Sequence, residues 1–225
     1  MTAPCRSERL RALPGRLRRL TTTKIDYKRE FRGLYRPGIA PGLIEVPELQ
    51  FLMIDGRGDP NTGTEYREAI ETLYPVSFTL KFMIKRAPGG VDYTVMPLEG
   101  LWWSDDMTDF VTGKRSGWQW TAMIMQPEAV SAEILADAIE TAERKRPLPA
   151  ASRLRLERFQ EGLSAQLMYT GPYSQEGPTI AHLHEFIATA GYVPSGKHHE
   201  IYLGDPSRSA PEKLRTIIRQ PVGSA

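Results

Sequence analysis

Two stretches of this chain carry the same succession of signals, and that limits the fold more than any single motif. Residues 48–126 read as strand, long helix, strand, strand, and residues 161–222 as strand, helix, strand, strand. A helical segment at 131–146 joins them, with no visible sequence repeat. Phe51, Met53 and Ile54 mark the first strand, closed by Gly56 and Gly58. Thr62 with Glu65 three residues later fits a capping box, which predicts a helix from near 63 to about 86, kinked at Pro75. Strands are expected over 92–103 and 118–126, joined by the polar connection 104–117, long enough to be a flap. Ser131 is a good N-cap for the joining helix. In the second stretch, strands at 163–169, 198–203 and 214–222 accompany a helix over 176–190, where Ile180, Leu183 and Ile187 recur at helical spacing. Residues 24–48 are rich in Pro and Gly and read as an extended lead-in; residues 147–158 read as a linker or short helix. The expected fold is α+β, one domain over 24–222 built from two pseudo-symmetric βαββ modules. Their uncovered sheet faces are expected to meet in a central ligand cleft.

Composition narrows the function classes. The chain has 225 residues, 40% hydrophobic and 25% charged, as in ordinary globular proteins. No apolar run approaches the roughly 20 residues of a membrane span, and the basic N-terminus lacks the apolar core of a secretory signal. The single Cys5 excludes an internal disulfide framework and suits a reducing cytoplasm. A net charge of +2 is too small to imply a nucleic-acid partner. Six arginines crowd residues 1–23, from Arg6 to Arg19. They read either as an arm touching an acidic partner or as a flexible tail without a role, and Pro14-Gly15 breaks any helix there. His182, His184, His198 and His199 find no third ligand at metal spacing, so neither metal nor cofactor is expected. Oligomeric state is not legible.

The segment His198-His199-Glu200-Ile201-Tyr202-Leu203 supplies the chemistry. Side chains alternate across a strand, so His198, Glu200 and Tyr202 share one face, and Ile201 and Leu203 the other. A carboxyl group set among aromatic rings suits a general base or a cation clamp, and burying it unused is costly. Glu200 and Tyr202 are therefore the candidate catalytic residues. Glu99, at the equivalent late position of the first module, is a second carboxylate that would divide acid and base roles with Glu200. All four tryptophans sit on or beside two adjacent strands. Trp102, Trp103 and Trp120, with Tyr93, Phe110, Tyr169 and His198, are the candidate lining of a site for a planar apolar ligand. The competing account is a core filled with large side chains. Trp102 and Trp103 point oppositely, so at least one of them is expected to be structural.

Three blocks carry a resemblance to a known family: Phe51–Pro60 (FLMIDGRGDP), Asp92–Trp102 (DYTVMPLEGLW), and His199–Asp205 (HEIYLGD) followed by Pro211–Arg219 (PEKLRTIIR). Over about 45–222 the chain resembles the GyrI-like small-molecule-binding family. The resemblance implies two βαββ modules around a cleft for flat or cationic apolar compounds. Some members inhibit gyrase, and others are ligand-sensing halves of transcription activators. One subfamily opens the cyclopropane ring of DNA-alkylating natural products of the yatakemycin and duocarmycin type, using an aromatic cage. The chain departs from the activators in having no helix-turn-helix pattern before residue 45, and it places an extra Trp103 beside Trp102. The function implied is a cyclopropane-ring hydrolase conferring resistance. The alternatives are a protein that sequesters planar or cationic drugs, or a gyrase-interacting regulator.

Overall fold

A computed structural model describes residues 24–105 and 117–224. The basic tail 1–23, most of the 104–117 connection and Phe110 lie outside the described residues. The first module consists of β2 (Leu49–Arg57), α3 (Thr64–Arg86), β3 (Leu98–Ser104) and β4 (Trp118–Gln126). The second consists of β6 (Gly162–Thr170), α5 (Gly177–Thr189), β8 (His198–Tyr202) and β9 (Arg215–Ser224). The joining helix α4 is Ala132–Glu143, and the Ser131 side chain caps it by accepting from the Ile134 amide. The capping box at Thr62 does not form. Gly63 is the N-cap and makes no side-chain cap bond; the amides of Thr62 and Gly63 are instead turned to the Asp59 carbonyl. Helix α3 is continuous through Pro75.

The strands form one mixed-order, antiparallel sheet rather than two, with the order β1-β6-β9-β8-β3-β4-β2-β5. Strands β1 (Gly42–Val46) and β5 (Arg155–Phe159) are its edges, where a lead-in and a linker were expected, and β7 (Tyr192–Pro194) pairs with the far end of β9. The modules meet at their middle strands. Leu98–Trp102 of β3 runs antiparallel to Tyr202–His198 of β8, and Gly100 faces Glu200. The strand expected from 92 begins only at Leu98, because Pro97 cannot donate to a ladder; Tyr93 makes an isolated bridge with Ile25.

Both long helices lie on one face of this sheet. Ser77 of α3 accepts from the Gln126 side chain of β4. Leu183 and Ile187 of α5 pack with Leu167 and Ile218, which share the Glu200 side of the ladder by register. Helix α3 covers β2 and β4, and α5 covers β6. The central pair β3–β8 is left between them. The candidate site on the Glu200 side of β3–β8 therefore lies on the helix-bearing face, not between uncovered faces.

On the opposite face of β3–β8, the short helix α2 (Arg32–Tyr35), which follows α1 (Tyr27–Glu30), supplies Tyr35 and the Leu34 carbonyl to a buried charged network. His199 Nε2 lies 3.0 Å from Glu99 Oε2, and its Nδ1 lies 3.0 Å from Glu161 Oε1. Tyr35 donates to Glu99 at 2.8 Å. Arg219 donates to Glu161 at 2.7 Å, to Gln166 at 3.0 Å and to the Leu34 carbonyl at 3.0 Å. Burial alone would raise Glu161, but His199 and Arg219 outweigh it and hold the carboxyl down to about 2. Burial would likewise lower His199, but Glu161 and Glu99 raise it to about 8. The signs set the pH window. The Glu161 contribution is complete above its ordinary 4.5 and fades as pH falls toward about 2. The His199 contribution is complete below its ordinary 6.5 and fades as pH rises through about 8. Removing one partner of a buried ion pair costs about 3–5 kcal/mol. Glu161→Gln should destabilise the fold by that order near pH 6, and by less near pH 9.5, as read by denaturant unfolding at both pH values.

Candidate active site

The functional face of β8 is built row by row across the sheet. One cross-strand row is Gly56, Trp120, Trp102 and His198; the next is Ala122, Gly100, Glu200 and Ile218. The third is Leu98, Tyr202, Thr216 and Tyr169. Large rings fit here because two positions lack a side chain. A Cβ on Gly56 would stand 2.2 Å from the Trp120 ring. One on Gly100 would stand 2.7 Å from Trp102 Nε1 and 3.2 Å from the Tyr202 hydroxyl. The Trp102 indole thus folds over bare backbone toward Tyr202.

From there a directed chain of hydrogen bonds runs to the carboxylate. Trp102 Nε1 donates to Tyr202 Oη at 3.1 Å, and Tyr202 Oη donates to Glu200 Oε2 at 2.8 Å. His198 Nε2 lies 3.3 Å from the other oxygen of Glu200. The Glu200 side chain is 17% exposed, so most of its surface is shielded from bulk water. Burial, then the charge of Glu200, pushes the Tyr202 phenol well above its ordinary range and keeps it a donor. Tyr66, at the start of α3, leans over this group. Its ring lies 5.5 Å from Trp102 and 5.0 Å from Trp120, the latter edge-on. Trp118 packs edge-on against Trp102 at 5.9 Å. On the other flank, Tyr173 packs edge-on against Tyr202 at 5.5 Å.

The expected residues divide by face. Glu200, Tyr202, His198, Trp102 and Trp120 come together, with Trp120 fully buried beneath Tyr66. Tyr169 stands at the margin, on the row with Tyr202, and donates to the Pro172 carbonyl. Glu99 does not face Glu200. Neighbouring residues of β3 alternate faces, so Glu99 is 1% exposed in the His199 network behind the sheet. Trp103 is also on that side, with Lys197 Nζ 3.4 Å from its ring centroid. Tyr93 is buried against Tyr27, away from the cleft.

Three contributors were not among the expected ones: Tyr66, Tyr173 and Glu176. Each sits where a module's chain enters its helix, and a pattern read for core spacing passes over them. Glu176, the N-cap residue of α5, is 4% exposed and lies against Glu200 and Thr216. Burial, then the charge of Glu200, raises its carboxyl to about 8. An acidic residue at a helix start ordinarily reads as a partner of the helix dipole, which hides this use. A groove of about 430 Å³ also lies between α3 and α4, lined by Phe78, Phe82, Arg86 and Lys145 among others, but no carboxylate lines it. Among the described residues, no group of three or more His, Cys, Asp or Glu side chains is placed to hold a metal ion. No described helix is long and apolar enough to cross a membrane.

Residues 40–222 match the GyrI-like small molecule binding domain. The chain belongs to that family. An uncharacterised conserved protein from Listeria innocua is 44% identical in sequence, with a TM-score of 0.82, covering 89% of this chain and all of that one. A structure described as a hydrolase from the same organism is 43% identical, with a TM-score of 0.78 and the same coverage. The C-terminal domain of EcmrR shares the fold alone, at 13% identity and a TM-score of 0.51 over 82% of this chain and 98% of that one. A comparison with curated proteins gave no match.

Gly100 tests the geometry. Gly100→Ala should displace the Trp102 indole and break its bond to Tyr202, costing about 1–3 kcal/mol. Denaturant unfolding and tryptophan emission should both change; a variant identical to wild type in both would show that the indole is not held over Gly100.

Proposed function

We propose that this GyrI-like protein is a hydrolase that opens the cyclopropane ring of DNA-alkylating compounds by adding water, and so confers resistance to them. The observation that carries the reading is the Glu200 carboxylate, which accepts from Tyr202, itself held by Trp102, among aromatic rings. Two structures described as hydrolases, at 43% and 42% identity, support an enzymatic role.

In such compounds the cyclopropane is fused to a dienone. Glu200 takes a proton from water as the water oxygen bonds to the ring methylene carbon. The carbon–carbon bond to the ring junction breaks, and its electron pair enters the dienone, which becomes an aromatic phenolate. The phenolate then takes a proton from solvent. Aromatisation makes the reaction downhill, so positioning the water and the flat ring is the main task. Trp102, with Tyr66 and Tyr173 on either flank, forms the walls that hold the ring and thin out bulk water. Tyr202 orients the base.

The same carboxylate and rings also suit a planar cation, so sequestration without chemistry is the second reading. Mass analysis of a cyclopropane dienone incubated with the protein separates the two. Repeated gain of one water per protein molecule supports the hydrolase; protection limited to one equivalent, with no mass change, supports sequestration. Glu200→Gln should lower turnover by at least about 100-fold while binding, followed by tryptophan quenching, stays within about 3-fold. Turnover retained in that variant would remove Glu200 from the mechanism.

A further inference from the structure

Glu176 is a buried acid that the chemistry above leaves unused. It is 4% exposed, and one of its carboxyl oxygens has no hydrogen-bond partner among the described residues. The groups facing it can be named by element. Glu200 and Tyr202 come from β8, Thr216 from β9, Tyr169 from β6 and Tyr173 from the turn before α5. His198 stands beside Glu200, with His184 of α5 near it. Among the described residues, no lysine or arginine is in this set. Two carboxylates against one another, with no described cation between them, cannot both be ionised at modest cost. Read as two carboxylates, the pair also leaves a buried acceptor with nothing to accept. One proton between them removes both difficulties, since a protonated carboxyl is a donor.

We propose that Glu176 is a positioning residue for Glu200: the two carboxyl groups hold one proton between them, and the Glu176 side of the pair fixes the orientation of the base. Glu200 is then held from three directions, by Tyr202, by His198 and by Glu176. When Glu200 takes a proton from water, the pair carries two protons; one returns to solvent, and the pair ends the cycle as it began. The pairing also sets the charge the cleft shows to a ligand at one negative unit rather than two.

The role in turnover rests on the reading of Glu200 as the base, whereas the shared proton does not. Infrared spectroscopy of the intact protein tests the proton directly. A protonated-carboxyl stretch should be present at neutral pH, titrate away with a midpoint near 8, and be absent from Glu176→Gln. A wild-type spectrum without such a band, or a band unchanged in that variant, overturns the proposal. Turnover tests the positioning. Loss of the shared proton above about 8 should lower the wild-type rate, because Glu176 then no longer donates to Glu200. A side-chain amide can donate a hydrogen bond but cannot ionise, so Glu176→Gln should lose that alkaline fall. Glu176→Ala should lower kcat about 10-fold or more with KM little changed. An unaltered pH–rate profile in Glu176→Gln would show that Glu176 does not act through Glu200.

Discussion

The pairing of β3 with β8 is the interaction on which the rest of the molecule depends. It is the seam between the modules, and five residue pairs make it. Its register decides which face each polar side chain meets. Because side chains alternate, a slip of one residue would exchange the two faces. Glu200 would then enter the closed network, and His199 would enter the cleft. The two clusters that give this protein its character are one strand seen from opposite sides.

Those clusters differ in how their charges are arranged. Behind the sheet, Glu99, Glu161, His199, Arg219 and Tyr35 bond one another, and opposite charges alternate through the group. Such a network is costly to assemble and costlier to break, which suits a fixed joint between modules. On the Glu200 side, carboxyl meets carboxyl and, among the described residues, no lysine or arginine is found with them. Like-charged groups held against one another at a candidate site are those able to respond to a ligand that arrives there.

Much of this was legible in the residues. The long apolar-faced helices, the six strands of the two modules and the Ser131 cap follow from local patterns, because each is decided by neighbours in sequence. The alternation within His198–Tyr202 was also enough to put Glu200 and Tyr202 together. What was not legible depended on partners far along the chain. Strand β1 is a strand only because β6 offers it a ladder, and β5 because β2 does. Glu99 matches Glu200 by position in its module, but equivalence of position does not give the face, which the register against Ile201 sets. Glu176 was invisible because its meaning comes from Glu200, which reaches it only after the chain has run through α5 and turned back into β8.

The segment that links the modules does a second job. Strand β5 is the last strand on its side of the sheet, and an unpaired strand edge is an open invitation to a neighbouring molecule. Here that border is fringed with charge: Arg155 pairs with Asp55 and Glu157, and Arg158 with Glu48 and Glu128. Any incoming strand would have to strip these side chains of water before it could zip on. The tether between the two halves of the sheet thus doubles as a fence along its border.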